Sequence, residues 1–219
     1  MIIIGLSDIH GDTAFIDRMG DVLKSADVVV LAGDITHFSH ASQAARVVEA
    51  VRKYNANVLA VPGNCDYPDV DQWLNNEDIN LHSKSFVTGD IVFAGLGGSI
   101  YTPFNTPFEY CDARTGRFLS EAASDLPEDI PFVLVSHQPP ADTSCDRLKD
   151  GRHVGSRELR RFIQDRRPLV CFTGHIHESV AADQIGETWV INPGPLWRRR
   201  YAFAQINGRR VSVEICPVL

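Results

Sequence analysis

Residues 2–10 read IIIGLSDIH, and the change of character at Ser7 decides the fold. The first half is a short apolar, β-branched run, the composition of a strand buried on both faces. The second half places Asp8 and His10 two apart where that strand runs out. In an extended chain residues i and i+2 point to the same side, so a carboxylate and an imidazole would converge on one point. The run is broken by Asp8 and has no basic leader, so it reads as a first strand and not as a signal peptide.

The pattern repeats along the chain. Apolar runs recur at 28–31, Val58–Val61, 132–135 and 169–172. Between the first two runs, Phe15, Ile16, Met19, Val22 and Leu23 mark one helical face. Between the second and third, Val47, Val48, Val51 and Tyr54 do the same after a start at Ser39 or Ser42. A further helix, SRELRRFIQDRR, precedes Leu169 with Ser156 as its cap. Alternating strands and helices imply βαβ units and a mostly parallel sheet. The second half adds a hairpin in FVTGDIVFAGLGG and a stronger one in YAFAQINGRRVSVEI, whose Asn207-Gly208 pair suits a type I′ turn. The expectation is an α/β protein in which two mixed sheets pack face to face with helices outside, in a single domain over residues 1–219. Residues 99–111 read as a Pro-broken aromatic loop, expected to form a subunit contact in a homo-oligomer ahead of a substrate wall.

Composition narrows the function. At 219 residues, with 44% hydrophobic and 22% charged residues, the chain has the make-up of a soluble globular protein. A formal net charge of −7 offers no basic surplus for a phosphate backbone and argues against specific nucleic-acid binding. Five scattered cysteines without CxxC spacing suit reduced thiols and a cytoplasmic location, and no apolar stretch is long enough for a membrane.

Five strand ends carry the polar residues: Asp8 and His10; Gly33-Asp34; Gly63-Asn64; Ser136-His137; and His175 with His177 in TGHIH. Open α/β sheets place ligands at these carboxyl ends. Two carboxylates, an amide and four imidazoles on one rim suit divalent Mn, Fe, Zn, Ni or Co and disfavour a thiolate site. Each feature alone is more often a turn or a cap; their joint order is what points to a metal.

The series DIH, GD, GNCD, SH and GHIH, continued to NPG at 192–194, resembles the calcineurin-like metallophosphoesterase superfamily over essentially the whole chain. The resemblance implies a four-layer α/β/β/α sandwich and a centre of two divalent ions, manganese first, with Fe, Zn, Ni, Co or Mg as alternatives. It assigns Asp8, His10 and His177 to one metal and Asn64, His137 and His175 to the other, with Asp34 bridging. It also implies hydrolysis of a small phosphate ester by a metal-bridging hydroxide, with no side-chain nucleophile. Many members have His after GN; here Cys65 stands before Asp66. That variant resembles a branch of small, uncapped members that act on phosphodiesters. Asp66 would orient a residue at position 65, and Cys65 either donates a proton or fills space. Acid help could come from His37 or from His153 in KDGRHVGS, the latter taken as the catalytic candidate. His40 and His82 read as surface residues, and residues 198–200 as a solvated strand edge. The competing classes are a non-catalytic binding scaffold of the same fold, resembling a retromer subunit, and a nuclease resembling the double-strand-break repair branch.

Overall fold

A computed structural model describes residues 1–124 and 130–219. Strand β1 (Ile2–Leu6) leads through α1 (Gly20–Ser25) to β2 (Val28–Ala32), α2 (Ala41–Arg52), β3 (Val58–Val61) and α3 (Pro68–Asn76). There follow β4 (Ser85–Thr88), β5 (Ile91–Leu96), the short β6 (Ser99–Ile100) and β7 (Glu109–Tyr110), and α4 (Asp112–Ala122). The rest comprises β8 (Phe132–Ser136), α5 (Arg157–Arg166), β9 (Val170–Phe172), β10 (Ala181–Ile185), β11 (Thr188–Asn192), β12 (Arg200–Asn207) and β13 (Arg210–Pro217).

Two mixed sheets result, in the orders β13-β12-β1-β2-β3 and β10-β11-β9-β8-β5-β4. The alternation of side chains along each strand explains why the strand runs are apolar throughout. Ile4, Leu6, Val29 and Leu31 face a core shared with α1, α2 and α3, which also buries Met19, Val47, Val51 and Leu74. Their neighbours Ile3, Val28 and Val30 face the other sheet and pack with Phe93, Val133, Val135 and Phe172. A third core lies between the second sheet and α4 and α5, through Ala94, Leu134, Leu119, Leu159 and Ile163. The layers are therefore helix, sheet, sheet, helix, as expected.

Local signals succeed where they are strong. Ser156 caps α5, its Oγ accepting from Leu159 N at 3.0 Å. Helix α2 starts at Ala41, and neither Ser39 nor Ser42 caps it: Asp69, from α3, accepts from the Ala41 N–H at 3.2 Å. Periodicity alone does not reveal α3 and α4. Each buries only two or three side chains (Val70 and Leu74; Thr115, Leu119 and Ala122), too narrow a stripe to stand out in the sequence. Both hairpins form, β4 with β5 and β12 with β13. The second turn has Gly208-Arg209 at its centre, because Asn207 pairs with Arg210. Gly208 has φ 61° and Arg209 is not left-handed, which is the type II′ arrangement and not I′.

Candidate metal centre

The parallel strands β1, β2 and β3 of one sheet and β8 and β9 of the other end at the same rim, and each delivers a polar residue within a few positions. The Asp8–His10 pair is not extended. Asp8 (φ 51°), His10 (φ 50°), Asp34 (φ 47°) and His175 (φ 67°) all lie in the left-handed region that side chains seldom adopt. Cross-loop bonds hold two of them there: Asp8 N to Gly33 O (3.1 Å) and His10 N to Asp34 O (2.8 Å). Convergence thus comes from interlocked turns, not from strand alternation.

Two glycines make the approach possible. A Cβ on Gly63 would collide with the backbone and carboxylate of Asp34. A Cβ on Gly33, itself at φ 83°, would collide with the His137 ring. Any larger residue in GD or GN would push the ligands apart.

The ligand atoms of Asp8, His10, Asp34 and His177 all lie within 4.8 Å of one another. His177 Nε2 is 3.3 Å from Asp8 Oδ1 and 3.3 Å from His10 Nε2, and His10 Nε2 is 3.7 Å from Asp34 Oδ2. His10 Nδ1 is buried without a hydrogen-bond partner. On the other side of Asp34, its Oδ1 lies 3.4 Å from His137 Nε2, which is 2.8 Å from Asn64 Oδ1. The His137 and His175 rings are 5.1 Å apart. His137 Nδ1 faces the Ala32 carbonyl at 2.9 Å and must donate to it, so in the neutral ring it is Nε2 that carries the lone pair. Three acceptors, on His137, Asn64 and Asp34, then meet with no proton between them. A cation satisfies them all, so the donor set fits a divalent metal with oxygen and imidazole ligands.

The electrostatics favour a free lone pair on two of these imidazoles and not on the third. Burial works to raise the Asp8 carboxyl, but the His177 hydrogen bond and the charges of His137, His177 and His10 hold it well below its ordinary range. Burial pushes His175 down to about 4, with His137 adding to the effect, and lowers His10 too. Burial also works against protonation of His177, yet the bond to Asp8 and the charges of Asp8 and Asp34 raise it overall. His10 and His175 are thereby held toward the neutral form that metal binding needs, while Asp8 draws His177 the other way, toward protonation.

Around this centre lies a cavity of about 790 Å³, lined by His10, Asp34, Asn64, His175 and His177 among others. Cys65 also lines it and is almost fully buried; burial, then the charge of Asp34, pushes its thiol far up, so it stays un-ionised. Asp66 lies elsewhere. Its oxygens accept from Ile35 N (3.1 Å), Thr36 N (2.7 Å), Thr36 Oγ1 (2.7 Å) and Gly63 N (2.7 Å). It clamps the turn that carries Asp34 and does not line the cavity, so it has no free oxygen to orient residue 65. Burial, then the charge of Asp34, raises its carboxyl to about 6 against those donors.

His153 is not at the cavity either: its Nδ1 sits 2.6 Å from Asp146 Oδ1, and Arg152 and Val154 line the cavity in its place. His37 does line it, exposed, with its ring 5.3 Å from that of His10. His40 is exposed and paired with Asp69. His82 is only partly exposed; it is wedged against Phe108 and Phe118 and accepts from Gly97 N at 2.9 Å, and burial lowers its pKa. Nor are residues 198–200 simply a solvated edge, since Arg198 donates to the His177 carbonyl at 2.9 Å.

Residues 99–111 divide by face. Tyr101 and Phe104 line the cavity, while Phe108 packs on His82 and Tyr110 is buried. Several bracing residues escape a reading of the sequence. Asn192 Nδ2 donates to the Ile176 carbonyl at 3.1 Å and steadies the GHIH turn. Thr106 accepts from Asn64 Nδ2 at 2.9 Å and donates to Glu109 Oε1 at 2.5 Å. Asn192 is at least signalled by its place in NPG; Thr106 and Glu109 have no local signature.

Comparison with known proteins identifies the family. The chain is 39% identical over 199 residues to an uncharacterized protein of Methanocaldococcus jannaschii, covering 89% of this chain and 88% of the relative. A probable cyclic nucleotide phosphodiesterase of Rhodopseudomonas palustris is 26% identical over 129 residues, 50% of this chain and 46% of that protein. A solved structure from Thermus thermophilus superposes with TM-score 0.78 at 21% identity, covering 100% of this chain and 99% of that one. Phosphopantetheinyl hydrolase from Mycobacterium tuberculosis gives TM-score 0.63 at 14% identity, covering 97% and 95%; at such identities both structures show the shared fold alone. The family model for calcineurin-like phosphoesterases matches residues 1–179, and with that span the chain belongs to the calcineurin-like phosphoesterase family.

Proposed function

We propose that this protein is a metal-dependent hydrolase of phosphodiesters, working with two divalent ions, manganese first. The observation that carries the reading is Asp34, whose two oxygens face separate clusters, His10 on one side and His137 on the other. Asp8, His10 and His177 would hold one ion and Asn64, His137 and His175 the second, with Asp34 shared. Bound there, the metals supply Lewis acidity toward the phosphoryl oxygens and lower the pKa of water.

The chain's own residues supply the rest. Neutral His10 and His175 keep their lone pairs free, and Asp8 stays ionised. His37 lines the cavity beside His10 and would be the imidazole to assist the leaving oxygen. Cys65, buried and un-ionised, is no nucleophile. The reading extends to one domain over residues 1–219 and a cytoplasmic location, supported by five unpaired thiols. No described helix is long and apolar enough to cross a membrane. The net charge of −7 supports a small ester over nucleic acid as the substrate.

The test joins metal analysis of the purified chain to a panel of monoesters and of linear and cyclic diesters, assayed with several added metals. Two ions per chain and a preference for diesters are expected. Asp34→Asn should keep less than about a tenth of the wild-type rate at saturating metal, since it weakens both clusters. A variant that keeps more would refute the shared-carboxylate reading.

A further inference from the structure

Water drives large apolar side chains inward, so exposed aromatics gathered at one place ask for an explanation. Among the described residues five aromatic side chains are exposed: Phe38, Tyr67, Tyr101, Phe104 and Trp197. All but Tyr67 line the cavity over the metal-ligand cluster. Their exposures are high, 81% for Phe104, 70% for Tyr101, 48% for Phe38 and 46% for Trp197. They come from three separate segments: the turn after β2, residues 99–111, and the turn before β12.

The segments that carry these rings are braced. Phe38 is kept at φ 46°, a costly conformation for a bulky residue. From Trp197 a chain of edge contacts runs through His177 (6.4 Å), His10 (5.2 Å) and His37 (5.3 Å) to Phe38 (5.3 Å), so the exposed rings at both ends adjoin two of the candidate ligand histidines. The Tyr101–Phe104 segment is tied down by Glu109, whose Oε1 accepts from Thr102 Oγ1 (2.5 Å), Thr106 N (2.9 Å) and Thr106 Oγ1 (2.5 Å). Thr102 Oγ1 in turn accepts from Phe104 N at 3.1 Å. A preorganised wall loses little entropy when it closes on a ligand.

We infer that the cavity selects esters whose organic group is a planar aromatic ring, docked on Phe104, Tyr101, Phe38 and Trp197 while the phosphoryl group reaches the histidine–carboxylate floor. The inference rests on the phosphoesterase reading above and narrows its substrate class. The volume of about 790 Å³ is that of a small-molecule site with apolar walls and a few polar groups. A flat aromatic patch would instead suit a second copy of the chain, but these rings surround a concavity whose floor is the polar cluster.

The test uses the full metal-loaded chain and two non-hydrolysable probes, phenylphosphonate and methylphosphonate, with affinities measured by calorimetry. Phenylphosphonate should bind about tenfold more tightly or better. Phe104→Ala and Phe38→Ala, both at exposed positions, should each weaken phenylphosphonate about three- to tenfold and leave methylphosphonate within about twofold. Equal affinity for the two probes, or equal losses in the variants, overturns the inference and leaves the phosphoesterase reading standing. Binding of neither probe overturns both. Sedimentation of the same variants separates the remaining account: if Phe104→Ala splits a dimer and the phenyl preference is absent, the rings form a subunit interface and the inference fails.

Discussion

Asn64 Nδ2 donates to Thr106 Oγ1 over 2.9 Å, and that bond decides which end of the Asn64 amide faces His137. Because the Thr106 hydroxyl donates onward to Glu109, it can only accept from Asn64. The amide oxygen is thereby left 2.8 Å from His137 Nε2, the orientation the proposed ligand role of Asn64 requires. The 99–111 segment is bound to the same turn a second time, through Phe108 N to Asn64 O at 3.0 Å.

Thr106→Val should therefore weaken metal binding on the His137 side about 10- to 100-fold, the usual loss when a ligand's supporting bond is removed. Thr106→Ser should restore most of it. Calorimetric titration of manganese into the metal-free variants measures this without reference to activity. Unchanged affinity in Thr106→Val would show that Asn64 needs no such support.

Asp66 is a structural clamp, so its removal should be felt in stability first. Asp66→Ala leaves the Ile35, Thr36 and Gly63 donors buried around a hole. The expected cost is about 3 kcal/mol or more, from several unsatisfied buried groups. Urea unfolding of the metal-free chain is the measurement, and a loss below about 1 kcal/mol would contradict the clamp.

Cys65 lies in the cavity wall with its Sγ 3.7 Å from Asn64 Nδ2. A buried thiol packed on a ligand side chain should act by filling space. Cys65→Ala should give a modest fall in kcat/KM, about threefold and independent of the leaving group. Plots of kcat/KM against leaving-group pKa for the two proteins should be parallel. A loss concentrated on alkoxide leaving groups would instead identify the thiol as a proton donor, which is typically worth about 10²-fold or more.

His82 gives a pH signature remote from the candidate metal centre. Its folded pKa lies below the ordinary 6.5 because of burial, so the unfolded chain binds the extra proton first as the pH falls. Stability contributed at neutral pH is lost on acidification through 6.5 toward the folded value. His82→Asn keeps an acceptor for Gly97 N–H but cannot titrate. Its baseline stability should drop through lost contact with Phe108 and Phe118, and its stability should fall less steeply than wild type between about pH 7.5 and 5.5. Identical slopes in thermal melts of the metal-free proteins would refute this.

The sequence by itself determined the layered fold and the candidate ligands. A strand between a helix layer and a second sheet is buried on both faces, so Ile2–Leu6 or Val58–Val61 must be apolar throughout, and the first polar residues after it mark its carboxyl end. That information is local, and Asp8, Asp34, Asn64, His137, His175 and His177 could be read from it. Only the tertiary structure decided how they are used. Asp8 and His10 converge through left-handed turns held by Gly33 and Asp34, bonds made between loops of different strands. His37 lies at the cavity and His153 does not, because Asp146 takes the His153 ring. Asp66 clamps Thr36, and Thr106 orients Asn64. Tyr101 and Phe104 face the cavity while Phe108 and Tyr110 turn inward. Each of these outcomes depends on which distant donor, acceptor or ring the fold brings into contact, and hydrogen bonds between residues far apart in the chain leave no periodicity or spacing in the sequence to read.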